Sequence, residues 1–186
     1  KQNLHVDEYF SYYSANDNDF YIGLQDRVWN KSDITIGKCE VHIGERFNYK
    51  NVYDMETKDV HPPLYYYCLH TICSFFPETF SKWFGLGLNI VFFAISFFIL
   101  ERITWWLSGG NEKLTLAVNL FYGFNPAIIS AVMFIRMYML LVLFVLLFVY
   151  IQLHIAREEY RISVKGIVAV AVVSFGGFLT HYYFIV

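Results

Sequence analysis

Four stretches of this chain, 83–100, 114–135, 137–156 and 166–186, contain no Asp, Glu, Lys or Arg. They are 18 to 22 residues long, and roughly 20 apolar residues in a helix cross the hydrocarbon core of a bilayer. Lipid offers the backbone no hydrogen bonds, so a segment inside it must pair its own N–H and C=O groups, as a helix does. A charge-free helix can also sit in the core of a large soluble protein, but four such runs in succession fit a chain dissolved in lipid. The sequence is 56% hydrophobic, above the roughly 45–50% of a soluble domain, and its mean hydropathy is +0.39. Its 19 Phe and 15 Tyr suit spans and the interfacial belts where a ring keeps one edge wet. The expected fold class is an all-α membrane protein, a multi-pass helical bundle. A net charge of -2 provides no basic surface for nucleic acid.

Charge divides the chain near residue 83. Positions 1–83 hold 12 of the 16 acids and 8 of the 14 Lys and Arg, too many to enter lipid, with enough Tyr, Phe and Ile to order the segment. The expected organisation is an extracytoplasmic first loop over 1–82 and four transmembrane helices over 83–186. Within the loop, HVDEYFSYYSAN predicts a short interfacial helix at about 5–16, with Asp7 and Glu8 in its first turn. The stretch 20–53, including ITIGKCEVHIGERF, reads as β-like or irregular with turns at Gly37 and Gly44. A second interfacial helix is expected at about 62–76, opened by Pro62 and Pro63 and closed by Pro77. Asn125-Pro126 predicts a kink inside a span.

The loops set the orientation. The segment 101–113 carries Arg102 and Lys113, and 157–165 carries Arg157, Arg161 and Lys165, whereas only Arg136 lies between the second and third runs. The two basic loops are therefore expected in the cytoplasm. Arg136, the polar N-terminal segment and His181-Tyr182-Tyr183 then share the outer face of a cell membrane. The chain starts without Met and stops inside an apolar run, so a longer polypeptide is expected. Cys39, Cys68 and Cys73 show neither CxxC nor zinc spacing and read as thiols.

Four polar groups can carry chemistry. The pair Asp7-Glu8 either complements a helix dipole or supplies a general base. In Asp59-Val60-His61-Pro62-Pro63 the prolines present a helix N-terminus, which attracts phosphate; His61 can donate to it and Asp59 can hold a cation. Arg136 is the sole formal charge between 114 and 156; it either reaches head groups or binds a ligand anion through its planar fork, with Tyr138 beside it. Thr180-His181-Tyr182-Tyr183 is either an aromatic belt or a donor or metal site.

Taken in order, HVDEYF, HPPLYYYCLH, NPAIISAVMFIRMY and THYY resemble the GT-C membrane glycosyltransferases of the protein O-mannosyltransferase and aminoarabinose transferase type. The resemblance covers essentially the whole chain. It implies a GT-C helical bundle and transfer of a sugar from a polyprenyl-phosphate carrier to a protein, lipid or polysaccharide acceptor, by inverting single displacement on the extracytoplasmic face. It implies Asp7 as catalytic base with Glu8 as its companion. His61, Arg136 and Tyr138 would contact the donor phosphate, and Tyr65, His181 and Tyr182 the substrate. Asp59 and His181 would be ligands if a divalent cation (Mg, Mn or Zn) is bound. No nucleotide cofactor is implied, and no P-loop or GxGxxG occurs. His61 stands where some relatives have Lys. The readings that compete with transfer are a transporter or flippase for a lipid-linked anion, and a ligand-binding membrane protein.

Overall fold

The computed structural model describes residues 4–17, 39–157 and 163–185. Among these residues there are eight α-helices, two single turns of 3-10 helix and no strand. The chain forms two compact units, 1–88 and 89–186, each described by itself below.

In the first unit, α1 (Val6–Asn16) is nucleated by a capping box. The His5 ring accepts from the Asp7 N–H at 3.2 Å, and the Glu8 carboxylate accepts from the His5 N–H at 2.7 Å. Each bond satisfies a backbone donor that the first helical turn cannot. A 3-10 turn at Ile43–Glu45 leads into α2 (Tyr49–Glu56), whose N-cap Asn48 accepts from the Asn51 N–H at 3.3 Å. The described part of the stretch expected to be β-like or irregular, 39–53, holds a bend, this 3-10 turn and the first five residues of α2; the rest of it, to residue 38, lies outside the described residues. Pro63 caps α3 (Leu64–Phe75), and Phe76 and Pro77 end it.

These helices pack because their buried faces match. Tyr12, Tyr13 and Ala15 of α1, Val52 and Met55 of α2, and Tyr65, Tyr66, Leu69 and Cys73 of α3 are all buried. Tyr12 also organises the start of α4 (Lys82–Leu107): its hydroxyl donates to the Ser81 carbonyl and accepts from the Gly85 N–H, both at 2.9 Å. The phenol thus stands in the rung that residues 81 and 85 would otherwise close, and burial pushes its pKa far up.

The second unit holds the rest of α4 and four more helices, α5 (Glu112–Phe124), α6 (Pro126–Met133), α7 (Tyr138–Arg157) and α8 (Val164–Thr180). The first charge-free run continues as helix through Glu101 and Arg102 to Leu107 and stops before Gly109 and Gly110, whose φ of 64° and 87° favour glycine. The second run is divided: Asn125 ends α5, and its side chain caps α6 by accepting from the Ala127 N–H at 2.8 Å. The two pieces bend by 52°. The third run is the 20-residue α7. The fourth gives only 17 residues of helix, from the Ser163 cap to Thr180, because His181 is extended. Two helices, α4 and α7, are therefore long and apolar enough to cross a membrane, or three spans if α5 and α6 count as one. At 1.5 Å per residue α8 reaches about 26 Å, short of a hydrocarbon core of about 30 Å.

Contacts give the order of the helices. Phe93 of α4 stacks on Tyr122 of α5 at 5.6 Å, and Asn89 donates to the carbonyls of Val132 and Phe134 at 3.1 and 2.8 Å. The α5–α6 pair thus runs back along α4. At the far end of α4, Trp106 stacks on Tyr150 at 5.2 Å, and Arg157 lies over the Trp106 ring at 5.5 Å. α8 then returns along α7. A Cβ on Gly176 would meet the Phe144 ring at 2.4 Å, so a small residue permits that approach.

Candidate functional site

Five of the residues singled out from the sequence, Asp7, Glu8, Asp59, His61 and Tyr65, lie in the first unit, and four, Arg136, Tyr138, His181 and Tyr182, lie in the second.

The acidic pair is split by its environment. Glu8 is fully buried and bonded to the His5 N–H, a role in the fold. The Asp7 side chain is 45% exposed and lies 3.4 Å from His5 Nδ1. A carboxylate on the first turn of a helix is stabilised as an anion by the helix dipole, and its exposure leaves it within reach of a ligand. His5 was not singled out from the sequence; its place two residues before Asp7, at a capping position, is the signal that could have found it.

The Asp59-His61 element folds into a small hydrogen-bonded turn. One Asp59 oxygen accepts from the Val60 N–H at 2.7 Å and the other lies 2.9 Å from His61 Nδ1. A carboxylate against Nδ1 keeps the proton on that nitrogen and fixes the ring plane. Both Asp59 oxygens are engaged in this turn, so a cation would have to displace one of these bonds. Tyr65, one turn further on, is wholly buried with its ring edge-on to Tyr66 at 5.9 Å. A ligand reaches it only if the core of this unit opens.

In the second unit Tyr138 and His181 come together. Arg136 lies in the short link between α6 and α7, and Ile135 and Met137 on either side are wholly buried. Arg136 itself is 8% exposed, a costly position for a cation that marks it as more than a surface charge. Tyr138 opens α7, stacks on Phe134 at 6.1 Å and lies 6.0 Å from the His181 ring. His181 Nδ1 accepts from the Tyr183 N–H at 3.1 Å. A neutral imidazole accepting there carries its proton on Nε2, so it presents a donor where a cation needs a lone pair. Tyr182 is exposed in the 3-10 turn Tyr182–Ile185. Among the described residues no three His, Cys, Asp or Glu side chains are grouped to hold a metal ion.

A buried polar cluster escaped the sequence reading. His70, Asn16 and Cys73 are 1 to 2% exposed, and His70 Nδ1 lies 3.3 Å from the Asn16 amide oxygen. Burial pushes the His70 pKa down and raises that of the Cys73 thiol to about 12. A thiol so far from ionisation is no nucleophile at neutral pH.

Comparison with protein-family models, with curated proteins and with solved structures finds no match for this chain. The class defined by the fold is an all-helical protein with two or three helices able to span a membrane.

Proposed function

We propose that the chain belongs to a multi-pass membrane glycosyltransferase of GT-C type, which moves a sugar from a polyprenyl-phosphate carrier to an acceptor on the extracytoplasmic face. The reading rests on the ordered motifs and on one observation above all. Of two adjacent acids, Glu8 is committed to a helix cap while Asp7 is presented on the first turn, 45% exposed, beside a histidine.

In the proposed reaction an acceptor hydroxyl or amine attacks the anomeric carbon, and the bond from that carbon to the phosphate oxygen breaks. Asp7 takes the proton of the attacking group. The leaving lipid phosphate gains negative charge, which hydrogen bonding from the His61 imidazole, oriented through Asp59, offsets. One displacement inverts the anomeric centre. Asp59 and His181 are each engaged in local hydrogen bonds, which a cation at either residue would have to displace. Asp59 is better read as a positioning residue.

The test is transfer of labelled sugar from polyprenyl-phosphate-sugar in membranes carrying the protein. Asp7→Asn should abolish transfer with melting temperature unchanged. Glu8→Ala should lower stability by about 1 kcal/mol through the lost bond to the His5 N–H and leave measurable turnover. Full activity of Asp7→Asn would refute the proposal.

One observation favours a second reading, transport of a lipid-linked anion: the α5–α6 pair is broken by 52°, and broken spans are common at transporter binding sites. A transporter has no use for a base at residue 7, so Asp7→Asn would leave its flux intact.

A further inference from the structure

Five exposed apolar side chains of the first unit gather at one end of it, while Val6, Tyr53 and Val60 are exposed elsewhere. Ile43 is 69% exposed, Phe75 61% and Trp83 66%, with Phe47 and Phe76 also exposed. All sit where the tip of α3, the 43–47 turn and the first turn of α4 meet. The Phe47 and Phe75 rings touch edge-on at 5.3 Å, and Phe76 stacks on Phe84 at 5.1 Å.

This cluster is held rigidly. Arg46 Nε donates to the Ser74 carbonyl at 2.8 Å, and the Phe47 N–H donates to Ser74 Oγ at 3.0 Å. Glu78 accepts from the Ile43 N–H at 3.1 Å and its own N–H donates to the Val41 carbonyl at 2.9 Å. Phe47 and Glu78 have φ of 57° and 56°, a left-handed conformation that is costly for a bulky side chain. Backbone strain that keeps a phenylalanine pointing into solvent is unfavourable in water and becomes favourable where the ring is covered.

We propose that this end of the first unit is a membrane-seated wedge, with Ile43, Phe47, Phe75, Phe76 and Trp83 placed in the boundary between head groups and acyl chains. Three features choose lipid over a protein partner. The patch includes the first turn of α4, a helix apolar and long enough to cross a membrane. Its 26 residues span about 39 Å at 1.5 Å each, beyond a hydrocarbon core of about 30 Å, so its terminal turns fall in the interface. Cations flank the aromatics, with Arg46 over the Phe47 ring at 5.5 Å and Lys82 next to Trp83, the pairing that suits a phosphate-rich head-group layer. The middle of α3 is buried by its own unit at Tyr65, Tyr66, Leu69 and Cys73, so the contact belongs to the tip of that helix.

Photo-crosslinking of the protein in phosphatidylcholine and phosphatidylglycerol vesicles tests this. The photoreactive phenylalanine analogue p-benzoylphenylalanine replaces Phe75, or in a second variant Ile43, with the same residue at Tyr53 as control. Tyr53 is similarly exposed, at 54%, but lies on α2, whose contacts with α3 are toward its other end, near Tyr67 and His70. Mass spectrometry should find phospholipid adducts at positions 75 and 43 several-fold above position 53. Adducts at 75 and 43 that match the level at 53, or that are formed with protein, overturn the proposal.

Discussion

His70 is a titratable group with no place on the surface: it is 1% exposed, against the Asn16 amide and between backbone carbonyls. Burial lowers its pKa from the ordinary 6.5, and the carbonyls of Ala15 and Glu45 together with the Glu45 charge only partly offset this. The folded form therefore binds the proton more weakly than the unfolded chain does. Protonation favours unfolding, so the first unit keeps full stability above about pH 6.5 and loses it progressively as pH falls toward the lowered folded value. Melting temperature recorded between pH 7.5 and 5 should drop more steeply for the native protein than for His70→Gln. Equal slopes would mean that the imidazole is not the group responsible. Nothing in the sequence announces this. His70 stands in LYYYCLHTICSF among apolar neighbours, and only the packing of α1 on α3 decides that its ring faces inward. The same holds for Asp7 and Glu8. In sequence they are two equivalent acids, and the cap that buries Glu8 depends on which one reaches back to residue 5.

At the scale of helices, the apolar runs and the Asn-Pro break were legible because both follow from local rules. A charge-free stretch in lipid must be helical, and a proline cannot donate to the rung before it. Where the helices end was less legible. Glu101 and Arg102 look like the edge of a span, yet both are good helix formers, and the helix passes through them to reach Gly109. The end of α6 at Met133 leaves carbonyls without helical partners, and Asn89 answers it by donating to Val132 and Phe134. Asn89→Leu should cost about 1–2 kcal/mol in reversible unfolding from detergent micelles. Asn119 is also buried, and its amide oxygen, like that of Asn89, has no hydrogen-bond partner among the described residues, but its nitrogen donates to no carbonyl there as that of Asn89 does. Replacing it with leucine should therefore change stability by much less, since no such donated bond is lost. Equal losses at the two positions would contradict this assignment of Asn89.

For the molecule as a whole, the second unit has two distinct ends, and each gathers what the sequence scatters. Trp106, His154 and Arg157 meet at one; Tyr138 and His181 meet at the other. The sequence supplied the residues of both clusters, but loop charge alone could not say that the Tyr138 and His181 rings lie 6.0 Å apart, because that depends on how far α8 extends before His181 breaks it. If α4, the bent α5–α6 pair, α7 and the shorter α8 each cross the bilayer, the turn at 108–111 and the start of α8 face one compartment and the 181–185 turn faces the other. Single cysteines at Gly110, Ser163 and Tyr183 report this directly. Gly110 lies in a turn, and Ser163 and Tyr183 are exposed. The native Cys39 and Cys73 are 1% exposed, and the unsubstituted protein provides the background for all three native thiols. A membrane-impermeant maleimide added to sealed vesicles of known orientation should label positions 110 and 163 from one side and 183 from the other. Positions 110 and 183 labelled from the same side would mean that the α5–α6 pair, α7 and α8 do not make three crossings between them. Arg136 and His181 would then have to be assigned to a surface by other means.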